Sequence, residues 1–204
     1  GSTDNTREIA DRYGAKWYTN TDWQGFGKQR QLAQTYATQD YVLVLDPDER
    51  LDQPLREEIA KVLEQPLQRD KVFSLARVNL FCGIEVQKRF FYTDKLARLY
   101  SREDYQYSSL EVHESLDQKN APSQRLDGFL PHLTNDDLHH FLLKNVRYSH
   151  DWAKDKFKHG KKVSLIALLF RSIFSFIREY IIRGDFIGGA YGLFLALASM
   201  GYTF

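Results

Sequence analysis

The stretch YVLVLDPDER, residues 41–50, decides the fold that we predict for this chain. Its first five residues are all apolar or aromatic, and three acidic residues, Asp46, Asp48 and Glu49, follow almost at once. A short apolar run with polar boundaries is typical of a strand buried on both faces, as in a parallel sheet. Open α/β sheets carry their chemistry at the carboxyl ends of such strands. The stretch therefore predicts a buried strand that ends in a functional site.

The acidic residues at the end of this strand suggest a site for a divalent cation. Asp46 and Asp48 supply the carboxylate oxygens that hard cations prefer, and Pro47 between them stiffens the turn. The alternative is an ordinary solvated turn, which is what most Asp-x-Asp triplets in proteins are. The strand in front of the triplet favours the metal site.

Helices and strands alternate around this stretch. The predicted helices cover TREIADRYG (residues 6–14, capped by Ser2, Thr3 or Asp4), residues 28 to about 38, and about 54–64, the last with Ile59 and Leu63 facing inward. KWYTN, residues 16–20, is predicted as a short strand. The order helix, strand, helix, strand, helix is the pattern of βαβ units on a parallel sheet.

The middle of the chain is rich in predicted strands. Residues 71–83 and 94–103 combine partial alternation with β-branched or aromatic residues. After them, Glu111, His113 and Glu114 fall within four positions of one another. This cluster is either a metal or catalytic site, although its spacing matches no helical zinc motif, or a surface hairpin with solvated charges.

The last third, from residue 135, has a helical pattern and a basic character. Residues 144–183 contain ten Lys and Arg against three acidic residues. The apolar segment 163–183 is interrupted by Arg171, Arg178 and Glu179, which disfavours a membrane span and favours a helix lying in the membrane interface. Residues 187–204 are uncharged and borderline for a span. The alternative for both segments is a helical subdomain that covers the core; we predict interfacial attachment. The chain thus divides into a domain of residues 1–134 and a membrane-interface region of residues 135–204.

Composition excludes several classes of protein. The chain has 28 Lys and Arg against 27 Asp and Glu, so no global basic field points to nucleic acid. Its single cysteine, Cys82, excludes an internal disulfide framework and fits a reducing compartment. Cys82 lies in a strand-like run and is expected to be a small buried apolar residue rather than a nucleophile.

Several blocks of the sequence, in order, resemble glycosyltransferase family 2. These blocks are GSTDNT, GFGKQRQLA, VLVLDPDER, the Arg-Leu-Tyr strand, VHES and the C-terminal RGDFIGGAYGLFLALASMGYTF. Within this family, the chain resembles bacterial lipopolysaccharide inner-core glucosyltransferases more than it resembles other members. The resemblance implies a GT-A fold and an inverting transfer of a hexose, with UDP-glucose as the expected donor. It implies as acceptor a heptose of lipid-linked core oligosaccharide, at the cytoplasmic face of the bacterial inner membrane.

The resemblance also implies roles for particular residues. Asp48 matches the second acid of the family's Asp-x-Asp motif and is expected to bind Mg²⁺ or Mn²⁺, while Asp46 is expected to contact the metal or the ribose. Pro47 departs from the usual Ala at the middle position. Glu114 of VHES is expected to be the catalytic base, with His113 orienting it or contacting phosphate and Glu111 as the alternative base.

Donor-binding roles follow in the same way. Lys28 and Arg30 match basic positions near the donor diphosphate, and Asp4 matches the acid of the family's Ser-Thr-Asp turn. The alternative for the two basic residues is an exposed first helical turn. Arg98, in the strand LARLY, either faces the donor phosphates or pairs across the sheet.

One departure from the family lies at the front of the chain. Family members carry a strand and an acidic turn ahead of GSTDNT, so the resemblance implies that this first strand is missing and that the chain as written is poorly active. Two other functions stay open: an inactive relative that binds a glycan or partner, and a structural module for membrane surfaces. Nucleic acid is a weaker partner for the basic stretch, because long aliphatic runs separate its aromatic residues.

Overall fold

The protein is represented by a computed structural model that describes residues 3–85, 93–109, 115–135, 137–160, 162 and 164–204. Within these residues the fold is mixed α/β, with a central sheet and a helical C-terminal third. The α-helices are α1 Thr6–Arg12, α2 Phe26–Thr35, α3 Gln53–Leu63, α4 Leu138–Lys158, α5 Leu165–Ile177 and α6 Gly189–Thr203. The strands are β1 Tyr41–Leu43, β2 Val72–Phe81, β3 Ile84–Glu85, β4 Asp94–Ser101, β5 Gln106–Tyr107, β6 Leu116–Asp117, β7 Ser123–Arg125 and β8 Leu130–Asn135.

Strand β2 is the centre of the sheet. It pairs antiparallel with β4 and, at its end, with β3. It also pairs in parallel with β7 along its first residues and with β8 along its last. The shorter β5 and β6 form a separate two-stranded sheet. The two strands predicted in the middle of the chain are therefore β2 and β4, and the mixed sheet confirms the α/β class.

Strand β1 differs from its prediction in two respects. It is antiparallel to its neighbour β4, with Tyr41 opposite Ser101, and its three residues are only half-buried. The prediction of a fully buried parallel strand was wrong, because β4 is the only ladder partner that β1 has among the described residues. Even so, the strand leads directly into the three acids, as expected.

Residues 16–20 do not form the predicted strand. No strand of the described sheet offers them a ladder, and they lie instead beside α2. The ring of Tyr18 stacks on that of Tyr36 with centroids 3.8 Å apart. Residues with strand propensity form a strand only where a partner edge is present, so tertiary context overrides the local preference here.

The core lies between α3 and the sheet. Leu55, Ile59 and Val62 of α3 pack against Phe73 of β2 and against other apolar residues of the sheet and of the segment after β7. The predicted inward position of Leu63 was wrong, since Leu63 is 52% exposed. The helical period of 3.6 residues places 55, 59 and 62 on one face and turns 63 away from it.

The C-terminal third is helical, as predicted, and no strand occurs after Asn135 in the described residues. Ring contacts join it to the sheet: Phe81 of β2 lies 6.0 Å from the Phe194 ring of α6 and 5.0 Å from the Phe141 ring of α4. Much of the remaining apolar surface of α5 and α6 is exposed. By length and composition alone, one segment, Asp185–Thr203, is long and apolar enough to cross a membrane.

Candidate active site

The carboxylate of Asp46, directly after β1, is held by two arginines. Its Oδ1 accepts a hydrogen bond from Arg30 Nη2 of α2 at 2.8 Å, and its Oδ2 accepts one from Arg98 Nη2 of β4 at 2.9 Å. Asp46 keeps about a third of its side chain exposed, at 34%, whereas Arg98 is almost completely enclosed. Both oxygens of this carboxylate are therefore already engaged by positive charge.

Glu49 is the second acid of this ion-pair cluster. Its side chain is inaccessible to solvent; Oε1 accepts from Arg98 Nη2 at 2.9 Å, and Oε2 accepts from the backbone N–H of Asp46 at 2.8 Å. The same glutamate thus anchors the arginine and the start of the acidic turn. This double contact fixes the turn that follows β1.

Arg98 keeps its charge despite its burial. Burial by itself would lower the pKa of the guanidinium, but interactions with Tyr107, Glu49 and Asp46 favour the charged form, and the pKa lies above its ordinary value. The Arg30 guanidinium lies over the ring of Tyr107, 4.8 Å from the ring centroid. Among the described residues, the two acids and two arginines of this cluster therefore balance one another.

A small open cavity of about 290 Å³ borders this cluster. Its charged lining residues are Arg30, Arg77, Lys95 and Arg98 against Asp46. Arg77 is paired with Asp94 at 2.8 Å. Because Arg30, Arg77 and Arg98 all form ion pairs, Lys95 is the cation that remains among the described lining residues to attract an anionic group such as a phosphate.

Asp48 lies in a different environment from Asp46. Its side chain is 47% exposed, and its Oδ2 lies 3.2 Å from His132 Nε2 of β8. The other ring nitrogen of His132, Nδ1, lies 2.8 Å from Asn79 Oδ1 of β2. An amide oxygen can only accept, so Nδ1 carries the hydrogen and Nε2 directs a lone pair toward Asp48 in the neutral imidazole.

Backbone pairing brings Asp48 and His132 together. The N–H of Leu133 donates to the carbonyl of Asp48 at 2.8 Å, and the N–H of Arg50 donates to the carbonyl of Pro131 at 2.8 Å. Glu49 and His132 form an antiparallel bridge. The acidic turn therefore runs alongside β8, with the Asp48 side chain next to the imidazole.

Asp52 anchors this arrangement at the start of α3. Its Oδ1 accepts from the N–H of Leu55 as a helix cap, and its Oδ2 accepts from the N–H of Phe129, both at 3.0 Å. Gly128 has φ +95°, and a Cβ there would lie only 2.4 Å from the Leu55 nitrogen. One carboxylate thus ties the helix to the chain entering β8.

The residues around Asp48 fit a divalent cation that is shared with a ligand. The described residues contain no group of three or more His, Cys, Asp or Glu side chains that could enclose a metal by themselves. A half-exposed carboxylate beside an imidazole lone pair suits an ion that takes its other ligands from water and phosphate oxygens. Asp46 suits this less, because both of its oxygens bind arginines.

The structure brings together some of the predicted site residues and not others. Arg30, Asp46 and Asp48 lie in one region, as the preceding contacts show. Lys28 is exposed on the first turn of α2 and makes no ion pair with the residues that the structure describes. Asp4 accepts hydrogen bonds from Thr6 near the N-terminus of α1, and its pKa is lowered chiefly by the Thr6 hydroxyl. The predicted catalytic residues Glu114 and His113, and the alternative Glu111, lie outside the described residues.

Sequence reasoning missed the roles of three residues. The sequence assigns no function to Glu49, allows two interpretations of Arg98 and does not single out His132. His132 and Asp48 are 84 positions apart, so no local spacing connects them. The only local signal was the burial expected for β4, which requires a partner for a charged residue such as Arg98.

The chain is similar in sequence to several glycosyltransferases. A family model described as "Glycosyl transferase family 2" matches residues 1–109. An uncharacterized glycosyltransferase of Rickettsia prowazekii is 27% identical over 218 residues, covering 98% of this chain and 74% of the relative. One of Rickettsia conorii is 28% identical over 200 residues, covering 94% and 71%. The lipopolysaccharide core biosynthesis glycosyltransferase LpsC of Rhizobium meliloti is 27% identical over 211 residues, covering 100% and 77%.

Proposed function

This chain belongs to glycosyltransferase family 2, and we propose that it transfers glucose from UDP-glucose, with inversion, onto lipid-linked lipopolysaccharide core oligosaccharide. Its mixed α/β sheet is the GT-A fold of that family, and the chain is accordingly a transferase. LpsC, named for lipopolysaccharide core biosynthesis, supports the acceptor class that we propose. The single observation that carries the proposal is the half-exposed Asp48 carboxylate beside His132, next to a cluster whose charges cancel.

We propose that Asp48 and His132 together hold Mg²⁺ or Mn²⁺. In the neutral imidazole, His132 Nε2 presents a lone pair 3.2 Å from Asp48 Oδ2, so both atoms would be able to bind one cation. Asn79 has the role of the partner that fixes the tautomer of a metal-binding histidine. When bound, such an ion neutralises the charge that develops on the leaving diphosphate.

In this proposal the protein's own residues bind and orient the donor. Arg30 and Lys95 border the cationic cavity and contact the diphosphate, while Arg98 and Glu49 keep the acidic turn in place. Asp46, already bonded to two arginines, acts by positioning Arg30 rather than as a metal ligand. Lys28 and Asp4 remain proposed donor-side residues on the strength of the family motif. Glu114 is proposed as the base that takes the proton of the acceptor hydroxyl, with His113 beside it.

Donor choice is tested by direct transfer. We expect the 204-residue chain, with Mn²⁺ and a heptose-terminated core oligosaccharide, to form a detectable glucosylated product from UDP-glucose, at the low rate that the sequence predicts for it. The rate with UDP-galactose or UDP-N-acetylglucosamine should be at least about tenfold lower, because a pocket that hydrogen-bonds one sugar hydroxyl leaves polar groups unpaired with another. Mass spectrometry of the oligosaccharide reports the product. No product from any of the three donors would contradict the proposed transfer. A faster reaction with another donor would show that the transferred sugar is not glucose.

We further propose that the protein attaches peripherally to the anionic cytoplasmic face of the inner membrane through α4 and α5. A cleft between these helices and the end of α6 is lined by Trp152, Phe170, Arg171, Phe174 and Arg178, among others. Lys156 Nζ and Arg171 Cζ lie 5.4 and 5.6 Å from the Trp152 ring centroid. Large apolar side chains of α5 around the cleft are exposed, with Phe170 at 70%. Cations beside an exposed apolar face are typical of helices that lie in a membrane interface.

Charge reversal on this surface is expected to weaken membrane binding. Each Lys or Arg near an anionic surface contributes about 1 kcal/mol, so the double change K156E/R171E should lower vesicle affinity by about thirtyfold or more. Co-sedimentation with vesicles containing phosphatidylglycerol measures this. The matched control is R7E/R12E on the exposed helix α1, which should bind as the wild type does. Equal vesicle binding by the two double variants would show that this surface does not bind the membrane. The same conclusion would follow if the wild type bound uncharged phosphatidylcholine vesicles as well as anionic ones.

A further inference from the structure

A second polar cavity, of about 350 Å³, lies between the ends of β2 and β8 and the C-terminal helices. Helix α4, helix α6 and the turns between α5 and α6 close it from the other side. Its lining includes Asn79 of β2, Asn145 and Tyr148 of α4, Glu179 and Asp185 of the turns, and Tyr202 of α6.

This cavity adjoins the proposed metal site. Asn79 lines the cavity and also accepts the hydrogen bond from His132 Nδ1 at 2.8 Å. The opposite nitrogen of the same imidazole lies 3.2 Å from Asp48. A ligand in the cavity is therefore separated from the proposed metal-binding imidazole by one amide side chain.

Charged groups that the proposed donor site does not use are buried at the cavity. Glu179 is 7% exposed and Asp185 only 1% exposed. Glu179 accepts from Arg183 Nη1 at 3.0 and 2.9 Å and lies 2.8 Å from Arg178 Nη2. Burying charged side chains costs solvation energy that apolar residues of similar size would avoid. The ion pairs of Glu179 offset part of this cost and fix its carboxylate at the wall of the cavity.

The backbone around these charges is held in an uncommon shape. Arg178–Ile182 forms a π-helical turn, which in helices is frequently found at functional sites. A turn at Asp185–Gly188 follows, and Gly192 of α6 packs against it so closely that a Cβ would lie 1.7 Å from the Asp185 carbonyl oxygen. The missing side chain at Gly192 is what allows α6 to close the cavity.

The lining combines aromatic faces with hydrogen-bonding groups. Phe81, Phe141, Tyr148 and Tyr202 supply rings, while the carboxylates, Asn145 and Ser199 supply acceptors and donors. This mixture suits a sugar, whose C–H faces pack on rings and whose hydroxyl groups bond to carboxylates and amides. Glu179 pairs with both Arg178 and Arg183, so these arginines leave no excess positive charge for a phosphate. An uncharged polyol is the class of ligand that the lining fits.

We propose that this cavity binds an uncharged sugar of the acceptor, an inference that rests on the proposed transferase function. Its location agrees with an acceptor that carries a lipid. Tyr202 lines both this cavity and the apolar, cationic cleft of α4 and α5. A glycolipid can thus place its sugar near Asn79 while its lipid part stays on the membrane side of Tyr202.

Two substitutions on α4 test the proposal. N145A removes an amide from the lining, and Y148A removes a ring that is 51% exposed, so neither change opens the hydrophobic core. The probe is the soluble core oligosaccharide released by mild acid from a heptose-terminated lipopolysaccharide, observed by saturation-transfer NMR without donor. We expect the wild-type chain to saturate the sugar protons and each variant to bind about tenfold more weakly. Binding of UDP and Mn²⁺, which also reports folding, should not change.

The matched control is V146A, between the two positions, where the side chain is 68% exposed and does not line the cavity. It should bind the oligosaccharide as the wild type does. No saturation transfer with the wild type, or wild-type affinity in both variants, would overturn the proposal. If the wild type binds the oligosaccharide but transfers no sugar to it, the proposed function fails while the cavity remains a sugar site.

Discussion

Replacing Asp48 by asparagine is expected to slow sugar transfer by about 10³-fold, which corresponds to roughly 4 kcal/mol of transition-state stabilisation. The substitution keeps the shape of the side chain and removes its charge. Among the acids at the end of β1, Asp48 is the one whose charge the ion-pair cluster leaves unbalanced. Initial rates of glucose transfer at saturating donor measure the effect. Binding of Mn²⁺ in the presence of UDP, followed by electron paramagnetic resonance, should fall in parallel.

A substitution of His132 tests the second proposed metal ligand in the same experiment. H132A is expected to weaken Mn²⁺ binding by about 10- to 100-fold, less than the loss in D48N. The control is H140A, because His140 is an exposed histidine of α4 and should leave Mn²⁺ binding unchanged. Wild-type affinity for Mn²⁺ in D48N would contradict the metal site as a whole. Wild-type affinity in H132A alone would limit the protein ligand to Asp48.

The site at the end of β1 was predictable in part because its signal is local. The apolar run, the acids behind it and the turn between them occupy ten consecutive positions, and their physical meaning does not depend on distant residues. The same holds for the helical C-terminal third, where the periodicity and the charge pattern are properties of each segment. In both places the structure has the predicted elements, a strand followed by an acidic turn and a helical C-terminal third.

The remaining features of the fold and the site depend on pairing between residues far apart in the sequence, which no local pattern encodes. β1 was expected to be parallel, yet its register is set by β4, about 55 residues further along the chain. Residues 16–20 have strand-like composition but no edge to join. The different surroundings of Asp46 and Asp48 are likewise invisible in the motif, since they arise from contacts with Arg30 of α2, Arg98 of β4 and His132 of β8.

Replacing Arg98 by methionine is expected to lower the free energy of unfolding by about 3–5 kcal/mol. Methionine approximates the length of the arginine stem but leaves Glu49, whose side chain is inaccessible to solvent, with no charge to balance it. The loss therefore comes from an uncompensated buried carboxylate rather than from an empty space. Denaturation by urea, followed by circular dichroism, gives the unfolding free energy. The control R77M breaks a pair with Asp94 that is about a quarter exposed, and it should cost about 1 kcal/mol or less.

The double variant E49L/R98M separates charge from packing. Because it removes the buried carboxylate together with its partner, it should recover much of the stability that R98M loses. It should not recover transfer activity, since Glu49 also accepts from the N–H of Asp46 and so fixes the turn that carries Asp48. A double variant as unstable as R98M would show that Arg98 stabilises the fold through Asp46 and Tyr107 instead. If R98M unfolds at the wild-type urea concentration, the cluster contributes nothing to stability, and Arg98 is retained for donor binding alone.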